Sequence, residues 1–127
     1  MKRSTNKEFK EQLIAKAFSL AKRLIALVDK FPKKRASWII SDQLLRAGSS
    51  IGANIIEAQA GSSKRDFINF LNHALKSGNE TKFWLALSKE LDEKLIFEID
   101  KLLTKTDELV KILGSSIATL KGKKQRN

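Results

Sequence analysis

This 127-residue sequence predicts an all-α protein: four long amphipathic helices packed as an antiparallel up-and-down bundle. Three observations carry that expectation. Apolar residues recur at steps of three and four over four long stretches, the period of a helix with one buried face. The breaks between stretches are short and hold proline, glycine, serine or clustered charge. Nowhere does an alternating pattern persist for the length of a strand.

The first helix is expected over about 7–31, with Phe9, Leu13, Ala17, Leu20 or Ala21, Leu24, Val28 and Phe31 on its apolar stripe. Ile14, Phe18 and Ile25 widen that stripe toward a bundle core. Phe31 precedes Pro32, which disfavours further helix, and Lys33-Lys34-Arg35 forms a basic loop. The second helix is expected over 38–60 with Ser37 as its cap and Gly61 as its stop. Its apolar face is Leu44, Ala47, Ile51, Ile55 and Ala58. Gly48 and Gly52 lie one turn apart in its interior. Each glycine costs about 1 kcal/mol there, so the pair points to close approach of another helix.

The third helix is expected over 64–90, with Ser63 and Asp66 resembling a capping box. Phe67, Leu71, Ala74, Gly78 or Thr81, Leu85 and Leu91 keep its period, and Phe70, Phe83 and Trp84 add bulk. A short connection at Asp92-Glu93-Lys94 implies an antiparallel fourth helix over 95–120, striped by Ile96, Ile99, Leu102 or Leu103, Leu109, Leu113 and Ile117. Residues 1–120 then form one bundle domain, and 121–127 is expected to be a disordered basic tail.

Composition narrows the function. There is no cysteine, so disulfides and thiolate metal sites are excluded. No apolar run approaches the ~20 residues that span a bilayer. The start of the chain lacks the continuous apolar segment of a signal peptide, so the expected compartment is the cytoplasm. The formal net charge is +11 and is uneven. Residues 1–35 carry eleven Lys/Arg against three Asp/Glu, a net +8. Residues 36–120 carry ten against eleven, a net −1, and residues 121–127 carry four against none. Charge concentrated on the first helix, its loop and the tail suits a polyanionic partner, although lysines that serve only solubility give the same count.

Catalytic chemistry has little to stand on. No His/Cys metal cluster and no phosphate loop of P-loop spacing is present. The single histidine, His73, falls mid-helix, where packing or exposure is the ordinary role. The acidic group Asp92, Glu93, Glu98 and Asp100 matches no oxygen-ligand loop and reads as a solvated junction. Gly61-Ser62-Ser63-Lys64-Arg65 offers a weak phosphate cradle at a helix start, set against simple capping. No catalytic residue, cofactor or metal is expected.

The most specific pattern is polar. Gln43, Arg46, Ser50, Asn54 and Glu57 fall on one stripe of the second helix. His73, Ser77, Glu80 and Trp84 form a stripe on the third. A hairpin turning at Ser62 brings Ser77 and Glu80 within a turn of Arg46, so a largely shielded Arg46–Glu80 ion pair is expected, with Gln43, Ser50 and Asn54 near helix–helix or subunit contacts in structural rather than catalytic roles. An exposed polar face remains the alternative on pattern alone.

The run from Gln43 to Ala58 resembles the signature of the 23S rRNA-intervening-sequence protein family, roughly Q-L-x-R-A-x-x-S-I-x-x-N-I-x-E-G. Gln43, Leu44, Arg46, Ala47, Ser50, Ile51, Asn54, Ile55 and Glu57 match it, while Ala58 replaces the usual glycine. Lys64, Phe67, Leu71, Ala74, Ser77 and Glu80 fit the downstream pattern, and Lys76 departs from a usual glycine. The resemblance implies a four-helix bundle, no catalysis and a ring-like homopentamer. The excess of small and apolar helix surface also points to assembly, with a dimer or monomer as the alternative. A related branch, the accessory variability determinant of diversity-generating retroelements, is similar in shape and charge and ends its last helix much as Leu113 to Ala118 does here. That branch binds nucleic acid and a reverse transcriptase.

The expected function is non-enzymatic binding of RNA or DNA through the phosphate backbone, as an accessory to rRNA or to a reverse transcriptase. The expected contacts are Lys22, Arg23, Lys33, Lys34, Arg35, Lys121, Lys123, Lys124 and Arg126. The alternative is a protein-interaction scaffold that does not touch nucleic acid. A membrane-surface role is set aside, because the stripe of the first helix is needed for the core.

Overall fold

The computed structural model describes the backbone of residues 2–126 and the side chains of residues 7–122. Four helices fill it: α1 (Lys2–Val28), α2 (Arg35–Gln59), α3 (Lys64–Ser88) and α4 (Ile96–Arg126), with a 3₁₀ turn at Glu93–Leu95 leading into α4. No strand occurs among the described residues. Each helix packs on two neighbours: α1 on α2 and α4, and α3 on α2 and α4. A single core lies between them, built from Leu13, Leu20, Leu24, Leu44, Ile51, Leu71, Leu85, Ile99, Leu113 and their neighbours. Its buried hydroxyls mostly bond backward along their own helices. Thr81 Oγ1 donates to Ser77 O at 2.7 Å, Thr106 Oγ1 to Leu102 O at 2.7 Å, and Ser88 Oγ to Leu85 O at 2.6 Å.

The helix ends differ from the sequence expectation in instructive ways. α1 stops at Val28, and the chain reaches Phe31 through short turns, Lys30 N to Leu27 O and Phe31 N to Val28 O. Phe31 stays buried and closes the core from the loop. Ser37 does not cap α2. Lys34 holds the N-cap position in extended conformation without a side-chain cap. Ser37 is buried as the third residue of the helix, with an Oγ that finds no partner. α2 ends at Gln59, before Gly61, and no glycine among the described residues has positive φ. Gly61 matters for closeness instead: a Cβ there would lie 3.2 Å from Ala58 O and 3.3 Å from Phe67 N. The expected Ser63 cap is present, accepting from Asp66 N at 3.1 Å. Asp92 caps the 3₁₀ turn, accepting from Lys94 N at 2.9 Å.

The α4 backbone continues as helix to Arg126, past Leu120, where the sequence pattern lost its apolar stripe. The side chains of Lys123, Lys124 and Arg126 lie outside the described residues. The stripe of α1 is narrower than expected. Phe18, Ile25 and Phe9 are exposed, and Phe83 and Ile96 likewise leave the core on α3 and α4. Four helices about one axis bury only a strip of each, so flanking apolar positions remain outside. The glycine expectation fares better. A Cβ on Gly48 would overlap Leu24 Cδ1, and one on Gly52 would lie 3.4 Å from Ala17 Cβ. Gly78 gives the same closeness on α3, where a Cβ would lie 2.7 Å from Val110 Cγ2.

Candidate functional site

The α2–α3 surface assembles the polar stripe as a network. Arg46 reaches across to pair with Glu80 and also donates to Gln43 Oε1 at 2.9 Å. Trp84 Nε1 donates to the same Glu80 carboxylate at 3.2 Å. Ser50 Oγ donates to Arg46 O at 2.7 Å, and Asn54 Nδ2 donates to Ser50 O at 2.8 Å, so both fold back onto their own helix. Ser77 is half-buried and Glu57 exposed. The expected pair forms, but it is not shielded within one chain: the Arg46 and Glu80 side chains are 55% and 39% exposed. At the rim of a single bundle, water solvates what the sequence pattern expected to be covered.

The other polar clusters are ordinary surface chemistry. Asp66 is held by Ser62 Oγ at 2.8 Å, so a carboxylate already sits at the α3 N-terminus and opposes an anion there. Of the acidic group, Asp92 is a cap, Glu98 pairs with Lys30 at 2.8 Å and Asp100 pairs with Lys89. No cluster able to hold a metal occurs among the described residues. His73 is exposed and meets Phe70 edge-on. The Lys82 hydrogen bond, then Lys111, holds the Asp107 carboxyl below the usual carboxylate range.

The cations separate into zones. Lys33, Lys34 and Arg35 are exposed in the α1–α2 loop and the first residue of α2. Lys30 ties this region to the start of α4 through Glu98. Lys121 is exposed on the far part of α4, about 35 Å along the helix from Glu98 at the standard rise. Lys22 lies 6.0 Å from the Phe18 ring, on a different side of α1 from Arg23.

Between these zones runs a groove that the sequence pattern did not single out. α1 touches α4 less extensively than any other neighbouring pair of helices touches. A hollow of about 350 Å³ opens there, lined by Arg23, Ala26, Lys30, Phe97, Glu98, Lys101 and Leu102. A smaller one of about 90 Å³ follows, with Lys16, Ser19, Lys105 and Glu108 on its walls. Lys16 and Arg23 stand seven residues apart on α1, with Lys30 a further seven on in the turn that follows it, and Phe97, Lys101 and Lys105 recur every four on α4. That double period was the available signal. A third hollow, of about 420 Å³ and mostly apolar, lies where Phe9 and Leu13 meet Phe67, Leu71 and Leu120.

No curated protein is detectably similar to the chain. Among solved structures, a protein of unknown function from the S23 ribosomal protein family of Bacteroides thetaiotaomicron VPI-5482 matches with a TM-score of 0.78 and 35% identity, over 86% of this chain and 97% of that one. The family model for the 23S rRNA-intervening sequence protein matches residues 4–115, which include the whole polar stripe and most of the groove. The match spans most of the sequence, and the chain belongs to the 23S rRNA-intervening sequence protein family.

Proposed function

We propose that the chain is a non-enzymatic, cytoplasmic nucleic-acid-binding protein that grips the phosphate backbone of RNA or DNA and works as an oligomer. The observation that carries this reading is the placement of charge. Five cations line the α1–α4 groove against Glu98 and Glu108, and Glu98 is already engaged by Lys30. Lys33, Lys34 and Arg35 extend that surface at one end and Lys121 at the other. Phosphate contacts of this kind give affinity without reading base sequence. An antiparallel up-and-down course is supported by facing residues whose positions rise along one helix as they fall along the next, as in Leu24 with Gly48 and Ala17 with Gly52. The family name on the matching model suggests service to an rRNA. Service to a reverse transcriptase is the companion possibility carried by the resemblance noted above.

Self-assembly, with five copies as in the family resemblance, is supported by apolar side chains that one bundle leaves outside, among them Phe18, Ile25, Trp38, Ile39, Ile56 and Phe83. Several weak sites on one ring add avidity without new contacts. The same exposed residues favour the second reading, a protein-interaction scaffold. Titrating unrelated RNA and DNA at rising salt separates the two. Binding that weakens steeply with salt is expected. It should weaken further when Lys33, Lys34 and Arg35, or Lys121, Lys123, Lys124 and Arg126, are changed together to Ala. No binding at low salt leaves the scaffold. Light scattering returning the 14.3 kDa monomer removes the assembly claim.

A further inference from the structure

The geometry points to a more specific site within that reading: the α1–α4 groove takes single-stranded nucleic acid, with one base stacked on Phe97 and the adjoining phosphates on Arg23, Lys101 and Lys105. It rests on the nucleic-acid proposal and names the strand state and the platform. Phe97 is 72% exposed, more than any other large apolar side chain described. It stands at the wall of the 350 Å³ hollow, beside Arg23 and Lys101. Lys101 Nζ lies 4.5 Å from its ring centroid, so a cation already sits against the ring. An aromatic face beside backbone-binding cations is the arrangement that holds unpaired bases, because every base offers a π-face whatever its sequence.

Spacing supports a strand lying along the groove. The seven-residue step from Lys16 to Arg23 places cations about 10 Å apart on α1. That equals roughly three nucleotides of a stacked strand at about 3.4 Å each. Lys101 and Lys105 stand about 6 Å apart on the opposite wall. Glu98 and Glu108 interrupt the cations, and Glu98 is neutralised by Lys30. A duplex buries its base faces and has nothing to offer Phe97 beyond phosphate contacts. Stacking and phosphate contact both ignore the sugar 2′ position, so RNA and DNA single strands are both accepted.

The test uses the full chain with oligo-U and oligo-dT, each carrying one 2-aminopurine, and with duplexes of the same length. Phe97→Ala is expected to weaken single-strand affinity roughly ten-fold. It should leave duplex affinity and the salt slope unchanged. Phe97→Trp is expected to keep wild-type affinity. The 2-aminopurine emission should be quenched by wild type and Phe97→Trp but not by Phe97→Ala. If wild type binds and Phe97→Ala binds single strands equally well, the platform is wrong and the phosphate reading stands. If wild type binds neither strand type at low salt, the nucleic-acid reading falls and the platform with it. Phe97 packs on the outside, so a folding failure of the Ala variant, visible in its circular dichroism, would itself contradict the assignment of Phe97 as a surface platform.

Discussion

The two sides of α1 are built on opposite terms. Toward α2 the helix is sealed: Leu24 has no exposed surface, and Gly48 across from it leaves no space for even a methyl group. Toward α4 the contact is less extensive, and the seam opens into hollows walled by long cationic side chains and Phe97. A glycine inside a helix costs stability, and like charges set one turn apart along a groove repel one another. The first is offset by close packing. The second has no counterpart in packing energy, which is why the open side is the one to interrogate for binding.

The largest effect should come from the sealed side. Leu24→Ala is expected to lower stability by about 2–5 kcal/mol in denaturant unfolding, since a fully buried leucine leaves a cavity. A loss far under 1 kcal/mol would mean the seam is not tight. Gly48→Ala should cost less, about 1 kcal/mol net, because overpacking against Leu24 exceeds the helix propensity it gains. Combining the two sharpens the point: the new methyl partly fills the cavity, so the double variant should lose less than the sum of the single losses.

The other seams give smaller effects. Glu80→Gln should lower the stability of a monomer by under about 1 kcal/mol, as is usual for an exposed pair. A markedly larger loss, together with a loss of assembly, would show that a neighbouring subunit covers the Arg46–Glu80 network. Asp107 contributes through its lowered folded-state pKa. Its stabilisation is therefore present above the normal carboxylate range and fades as pH falls through the lowered value. Asp107→Asn should trail wild type slightly near neutral pH and converge with it in strong acid, as read from melting temperature against pH.

Periodicity made the helices and much of the core legible, because steps of three and four leave little choice of secondary structure. Gly48 and Gly52 were legible too, since interior glycines require a reason. The polar network was legible as an i, i+3, i+4 stripe with a matching stripe opposite. Its exposure was not, because a stripe does not say whether water or another helix covers it. Helix ends misled where local rules competed. Ser37 is a favoured cap residue, yet Lys34 holds that position and Ser37 falls inside the helix. Phe18, Ile25 and Phe83 fit the apolar stripe but lie outside, since a stripe's width is set by neighbouring helices that the sequence does not display. Phe97 was passed over because it sits between the two stripe positions Ile96 and Ile99, where an outward aromatic attracts no notice. Only its distant partners, Arg23 on α1 and Lys30 just beyond it, make it part of a groove.

The most direct test of the account changes the groove's charge alone. Arg23, Lys101 and Lys105 are converted together to Gln, and binding of a single-stranded RNA is followed by fluorescence anisotropy from low to moderate salt. Each lost phosphate contact reduces the slope of log affinity against log salt by about 0.7 for single strands. The predicted result is weaker binding with a slope shallower by about two units, unchanged helix content and no change in sequence preference. A variant that keeps both the wild-type affinity and the wild-type slope would contradict the account and place nucleic-acid binding away from the α1–α4 groove.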